Sequence, residues 1–211
     1  MRKITPQKWI QEPDEILTAG DIDAECLSDL NADNNSISTW YVGNKTNEEI
    51  ITAVAALASG FRSLDDISIV LIDEDELKKE GFSVIPSDGV TRIKGLEGLH
   101  RDINSLSVDQ LGNLAHVIIR NVWNDNTMAF NAEELSIIML HKIIDGKLEL
   151  QDLDKNFRKG FSGKVKKIIR KKLVDWDPVP TKIKASFEDQ WLINKKSTNC
   201  KYELECEKYK H

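Results

Sequence analysis

Ile37-Ser-Thr-Trp-Tyr-Val42, Thr46-Asn-Glu-Glu-Ile50 and Ile67-Ser-Ile-Val-Leu-Ile72 decide how this chain is read. The first stretch alternates and carries Thr, Trp and Tyr, which predicts a strand. In the second, Glu49 follows Thr46 by the spacing of a capping box. A helix should open there, with Ile50, Ile51, Val54, Leu57 and Ala58 on its apolar side, and end near Gly60. The third stretch is almost continuously apolar, the pattern of a strand covered on both faces. Strand, helix and strand in that order predict a βαβ unit with parallel strands and a right-handed crossover.

Toward the N-terminus, Thr5-Pro6 reads as an N-cap followed by proline at the first helical position, opening a short helix through Trp9 and Ile10. Ile16, Leu17, Ile22, Cys26, Leu27 and Leu30 predict one or two more helical turns, interrupted at Gly20, and residues 31–36 a polar loop. Downstream, Asp73 caps a short helix that Gly81 stops, and Phe82 to Ile85 supply a third strand. Residues 86–106, with Pro86, Gly89, Gly95 and Gly98, read as a long irregular connection, a kind of segment that often carries function.

From Ser107 the pattern turns helical. Leu111, Leu114, Ile118 and Val122 form a stripe, with Ser107 and Gln110 again at capping-box spacing. Asn131 caps a further helix in which Leu135, Ile137, Ile138, Met139, Leu140, Ile143 and Ile144 leave little polar face, so that it is expected to be central, and Gly146 ends it. A basic helical region follows from Asp152 to about Val174. Pro178 and Pro180 break it, and residues 181–209 read as two or three strands. The expectation is an α+β fold: a mixed, βαβ-containing part over 1–106, then 107–211 with a helical middle, the basic helix and a β-rich tail, both packed as one unit.

The 211 residues are 40% hydrophobic and 30% charged, the composition of an ordinary globular protein. Arg2 and Lys3 are followed by Pro6, Gln7 and Lys8 and not by an apolar run, which argues against a secretory signal. No stretch approaches the roughly 18 apolar residues of a membrane span. A soluble, cytoplasmic protein is expected. Cys26, Cys200 and Cys206 contain no CxxC pair, so neither a disulfide framework nor a zinc site is indicated.

Several short motifs fail on their missing parts. His100-Arg101-Asp102 copies the start of a kinase catalytic loop, yet Ser107 stands where the metal-binding Asn belongs, and no glycine-rich loop or DFG exists. What remains is a His–Asp pair, able to act as a base or ligand, or merely a loop histidine bonding backbone. Ile69 to Glu74 resembles the acidic strand of a nucleotide site, but Gly160-Phe-Ser-Gly163-Lys164-Val165 lacks the phosphate-loop spacing and hydroxyl. Asp29, Asn31 and Asp33 start like a calcium loop, with Asn34 at the glycine position and Trp40 at that of the bidentate glutamate. His116 and His141 are lone histidines on apolar helices. No catalytic residue, metal or cofactor is assigned.

Charge is unevenly distributed. Residues 1–154 hold 13 Lys and Arg against 28 Asp and Glu, whereas residues 155–172 hold nine basic side chains and no acid. Residues 173–211 hold seven of each, which leaves the net charge of −6. Val165, Ile168, Ile169 and Leu173 fall on one helical face; Lys164, Lys166, Lys167, Arg170 and Lys171 fall opposite, Lys172 borders the apolar side, and Arg158 and Lys159 precede. Such a face is either plainly solvated or meets an anionic surface. The leading expectation is a non-catalytic binding protein, a subunit, adaptor or inhibitor of a protein partner, with an acidic partner or this chain's own acidic body meeting the basic face. The alternative is nucleic-acid binding through 158–172, against which the acidic body and the scarcity of aromatics count. A membrane surface ranks last, because the apolar side read here has no Trp or Phe. The second alternative is a hydrolase-type enzyme using His100 and Asp102 in the 86–106 loop, beside Asp73 and Asp75.

Overall fold

The computed structural model describes residues 1–9, 22 and 24–170. The chain divides into two units, Met1–Gly60 with Asp65–Asn131, and Phe61–Leu64 with the chain from Ala132 onward. The first unit contains strands β1 (Arg2–Ile4), β2 (Ile37–Trp40), β3 (Ile67–Val70), β4 (Ser83–Pro86), β5 (His100–Asn104) and β6 (Thr127–Phe130), with helices α1 (Ala24–Asp29), α2 (Asn47–Ser59), α3 (Glu74–Lys79) and α4 (Val108–Trp123). The second contains α5 (Ala132–Ile144) and α6 (Lys155–Arg170). The fold is α+β, and among the described residues every strand pairing is antiparallel.

Local signals explain the helix starts. Thr46 accepts from the Glu49 amide at 3.3 Å while Glu49 reaches back to the Thr46 amide at 3.3 Å, the reciprocal box that opens α2. Ser107 and Gln110 do the same for α4. Asp73 accepts from the Asp75 amide at 2.9 Å and caps α3. Gly81 and Gly146 sit at φ 82° and 70°, the left-handed conformation that ends a helix with little strain. Asn34 and Asn35, both at positive φ, form the tight turn that closes the Asp33–Ser36 bridge ahead of β2. Thr5-Pro6 opens a single 3-10 turn, Pro6–Lys8, which delivers fully buried Trp9 to the core.

The expected parallel βαβ pairing is not formed. β2 and β3 belong to different three-stranded sheets, ordered β2-β5-β4 and β1-β3-β6. One backbone pair joins them: Met1 N donates to the Trp40 carbonyl at 2.8 Å, and the Trp40 amide donates to the Met1 carbonyl at 2.9 Å. Two residues that exchange both bonds are an antiparallel pair. β1 is therefore antiparallel to β2 as well as to β3, so β2 and β3 run the same way with β1 between them. The strand–helix–strand order of β2, α2 and β3 is present, but the short Arg2–Ile4 strand takes the place between the two strands.

The segment 86–106 also differs from expectation. It ends in β5, which pairs with β2 on one side and β4 on the other. His100-Arg-Asp-Ile-Asn has no apolar alternation because only His100 and Ile103 of the strand are buried. β6 is a second strand without a readable pattern.

The core of the first unit gathers Ile4, Trp9, Cys26, Leu30, Ile37, Val70 and Ile103 against Leu114, Ile118 and Ile119 of α4. In the second unit α5 packs with α6. α5 buries Leu135, Met139, Leu140 and Ile143, leaving His141 exposed. No described helix is long and apolar enough to cross a membrane. The strands expected over 181–209, together with Lys171, Lys172, Leu173, Cys200 and Cys206, lie outside the described residues.

Candidate functional site

Helix α6 starts on Asp154, whose carboxylate accepts from the Asn156 amide at 2.7 Å and whose carbonyl accepts from Arg158 at 2.8 Å. Phe157, Phe161, Val165 and Ile168 recur at helical spacing and are fully buried. The apolar face thus begins earlier than the spacing of Val165 and Ile168 alone implied, and it does contain phenylalanine. On the opposite side Lys159, Lys166 and Lys167 are exposed, with Gly163 among them facing open space. Arg158 and Lys164 are half-buried at the two borders of the apolar face. None of these five cations makes an ion pair with a described residue. Arg170 closes the described helix.

His100 and Asp102 lie on β5, and their surroundings are structural. The His100 ring meets Trp40 edge-on, with centroids 5.1 Å apart, and Nδ1 shares a 2.7 Å hydrogen bond with Ser87 Oγ. Asp102 Oδ1 approaches the same Nδ1 at 4.0 Å. A Ser–His–acid relay needs its serine and its acid on different ring nitrogens. Here both lie at one. Burial lowers the basicity of His100 below that of an ordinary imidazole; Asp102 opposes the shift and Arg101 adds to it. The ring also leaves no room at Gly89, where a Cβ would lie 2.5 Å from His100 Cβ.

A cleft of about 240 Å³ opens in the first unit between the segments that follow β2 and β3, α3 and Arg101. Arg101 lies opposite Thr39 in the β2–β5 register, which makes Tyr41 its diagonal neighbour on the same face. Its guanidinium carbon stands 5.1 Å from the centre of the Tyr41 ring. Nη1 donates to the carbonyls of Gly98 and His100, each at 2.7 Å. Among the described residues Nε and Nη2 find no hydrogen-bond partner, and no carboxylate pairs with Arg101.

The other charges of the cleft are partly paired. Lys45, held at φ 55°, reaches Asp73 at 3.4 Å. Lys78 meets Glu74 at 2.8 Å and Asp75 only at 4.0 Å. The Asp75 amide and then Lys45 hold the Asp73 carboxyl below the ordinary carboxylate range. Asp73, expected from the strand pattern as a capping acid, serves as one. Asp29, the first position of the calcium-like pattern, instead accepts from Thr5 and Trp9. Among the described residues no three His, Cys, Asp or Glu side chains gather to hold a metal ion.

Nothing in the sequence marked Arg101 and Tyr41 as a pair, because strand register alone brings them together. No protein-family model matches this chain, and no curated protein or solved structure matches it.

Proposed function

We propose that the protein is a non-catalytic binding protein, a subunit, adaptor or inhibitor that docks an acidic protein partner through the outer face of α6. One observation carries this reading: Arg158, Lys159, Lys164, Lys166 and Lys167 make no ion pair with a described residue, although residues 1–154 hold 28 acids. Cations left unpaired in so acidic a chain are available to steer a partner of opposite sign. The buried Phe157 and Phe161 fix the helix, so the charged face is held ready and does not have to be ordered on binding. A protein partner is favoured over nucleic acid because a long polyanion extends past the patch and meets repulsion from the acidic remainder. A compact acidic surface does not.

The test compares fluorescence anisotropy of a labelled Glu/Asp-rich peptide, duplex DNA and single-stranded RNA across a salt series. Wild-type protein is run beside a Lys166→Glu/Lys167→Glu variant. Peptide binding that weakens with salt and falls about tenfold or more in the variant is expected. Steep salt-dependent binding to DNA or RNA without peptide binding would replace the protein partner by nucleic acid. Binding that is the same in the variant sinks both readings.

A further inference from the structure

The cleft beside Arg101 is lined by residues of the first unit and calls for a different ligand. Its charged lining balances, with Lys45, Lys78 and Arg101 against Asp73, Glu74 and Asp75. A strong polyanion would face three carboxylates there, and a metal cation would face three cationic side chains. Within the balance two groups are underused. Among the described residues Arg101 has no carboxylate partner, and its Nε–Nη2 edge makes no hydrogen bond. Asp75, with a side chain 82% exposed, meets Lys78 only at 4.0 Å, whereas Asp73 and Glu74 have closer cations.

We propose that this cleft binds a small zwitterion of the α-amino-acid class, its carboxylate on Arg101 and its ammonium on Asp75. The guanidinium is preorganised for the task. Nη1 is anchored by two backbone carbonyls and one face lies toward Tyr41, so the remaining edge presents two parallel donors with little rotamer freedom to lose. Tyr41 is 43% exposed and offers an aromatic surface to the ligand's side chain. The cleft, about 240 Å³, is at the small end for a ligand site, which suits a small ligand.

The experiment is an amide ¹H–¹⁵N NMR titration with L-phenylalanine, 3-phenylpropionate and phenethylamine. These share one ring and carry both charges, the anion alone and the cation alone. L-Phenylalanine is expected to shift the amides of Tyr41, Lys45, Asp75 and Arg101 and to saturate, with each single-charge analogue binding about tenfold more weakly. Arg101→Gln and Asp75→Asn should each weaken L-phenylalanine by about tenfold while the rest of the spectrum is retained. Asp75 is exposed enough that its variant folds, so the test does not depend on Arg101→Gln alone. Absence of shifts in the wild type, unchanged affinity in Asp75→Asn, or an analogue binding as tightly as L-phenylalanine would each overturn the proposal.

Discussion

The indole N–H of Trp9 donates to the Asp29 carboxylate at 2.8 Å. That bond ties a fully buried ring to the end of α1, and the same carboxylate also accepts from the Thr5 amide and hydroxyl. Lys8 stands 3.5 Å away. Asp29 therefore holds the segment after β1 in place. Asp29→Ala leaves the indole donor unpaired and should cost about 2–3 kcal/mol, read from the urea midpoint at constant slope.

The same carboxylate predicts an acid limb. Burial alone would raise the Asp29 carboxyl, but hydrogen bonds from Trp9 and Thr5 and the charge of Lys8 together hold it below its ordinary value. The folded value thus lies below the unfolded one, near about 3.9. Its stabilising contribution is complete above that pH and is lost as pH falls through the folded value. Urea midpoints measured from pH 5 downward should fall more steeply in the wild type than in Asp29→Asn.

His100 should titrate below an unperturbed imidazole, at less than about 6.5, because burial disfavours its charged form. The sign follows: the unfolded chain takes up this proton first, so stability is complete above that pH and declines as pH falls toward the folded value. NMR titration of the His100 ring checks this directly. A midpoint at or above the ordinary value would contradict the buried placement against Trp40.

Two glycines should respond oppositely to alanine. At Gly89 the new Cβ would lie 2.5 Å from His100 Cβ, so Gly89→Ala should cost about 1–3 kcal/mol. At Gly163, within α6, nothing lies within 4 Å, and Gly163→Ala should gain up to about 1 kcal/mol from helix propensity. Thermal melts of the two variants should move in opposite directions.

The two faces of α6 should separate in the same way. Phe161 is fully buried, so Phe161→Ala should cost about 3–5 kcal/mol. Lys166→Glu/Lys167→Glu changes only exposed positions and should stay within about 0.5 kcal/mol of the wild type. Urea unfolding of both variants gives the comparison and validates the charge reversal as a binding test.

Much of the helical framework was legible in the residues. Thr46 with Glu49, Ser107 with Gln110, Asp73 before Glu74, and Gly81 and Gly146 after their helices are signals whose partners lie within a turn or so of chain. The amphipathic pattern of α6 and the buried character of β3 were readable for the same reason, since periodicity reports burial without needing to know the neighbour. What the residues do not reveal concerns partners far away in sequence. β5 and β6 have no pattern of their own and become strands because β2, β4 and β3 supply their hydrogen bonds.

Local residue pattern settles where α2, α3, α4 and α5 begin, which face of α6 is apolar, and that helix and strand mix in one α+β chain. It takes the folded unit to place β1 between β2 and β3, to build His100 into a strand against Trp40, and to bring Arg101 to Tyr41 beside a cleft. The physical reason is the range of the interaction. A cap or a 3.6-residue stripe is settled by side chains a few residues apart. Strand order and register are settled by backbone groups, identical in every residue, whose partners are chosen by the packing of the whole unit.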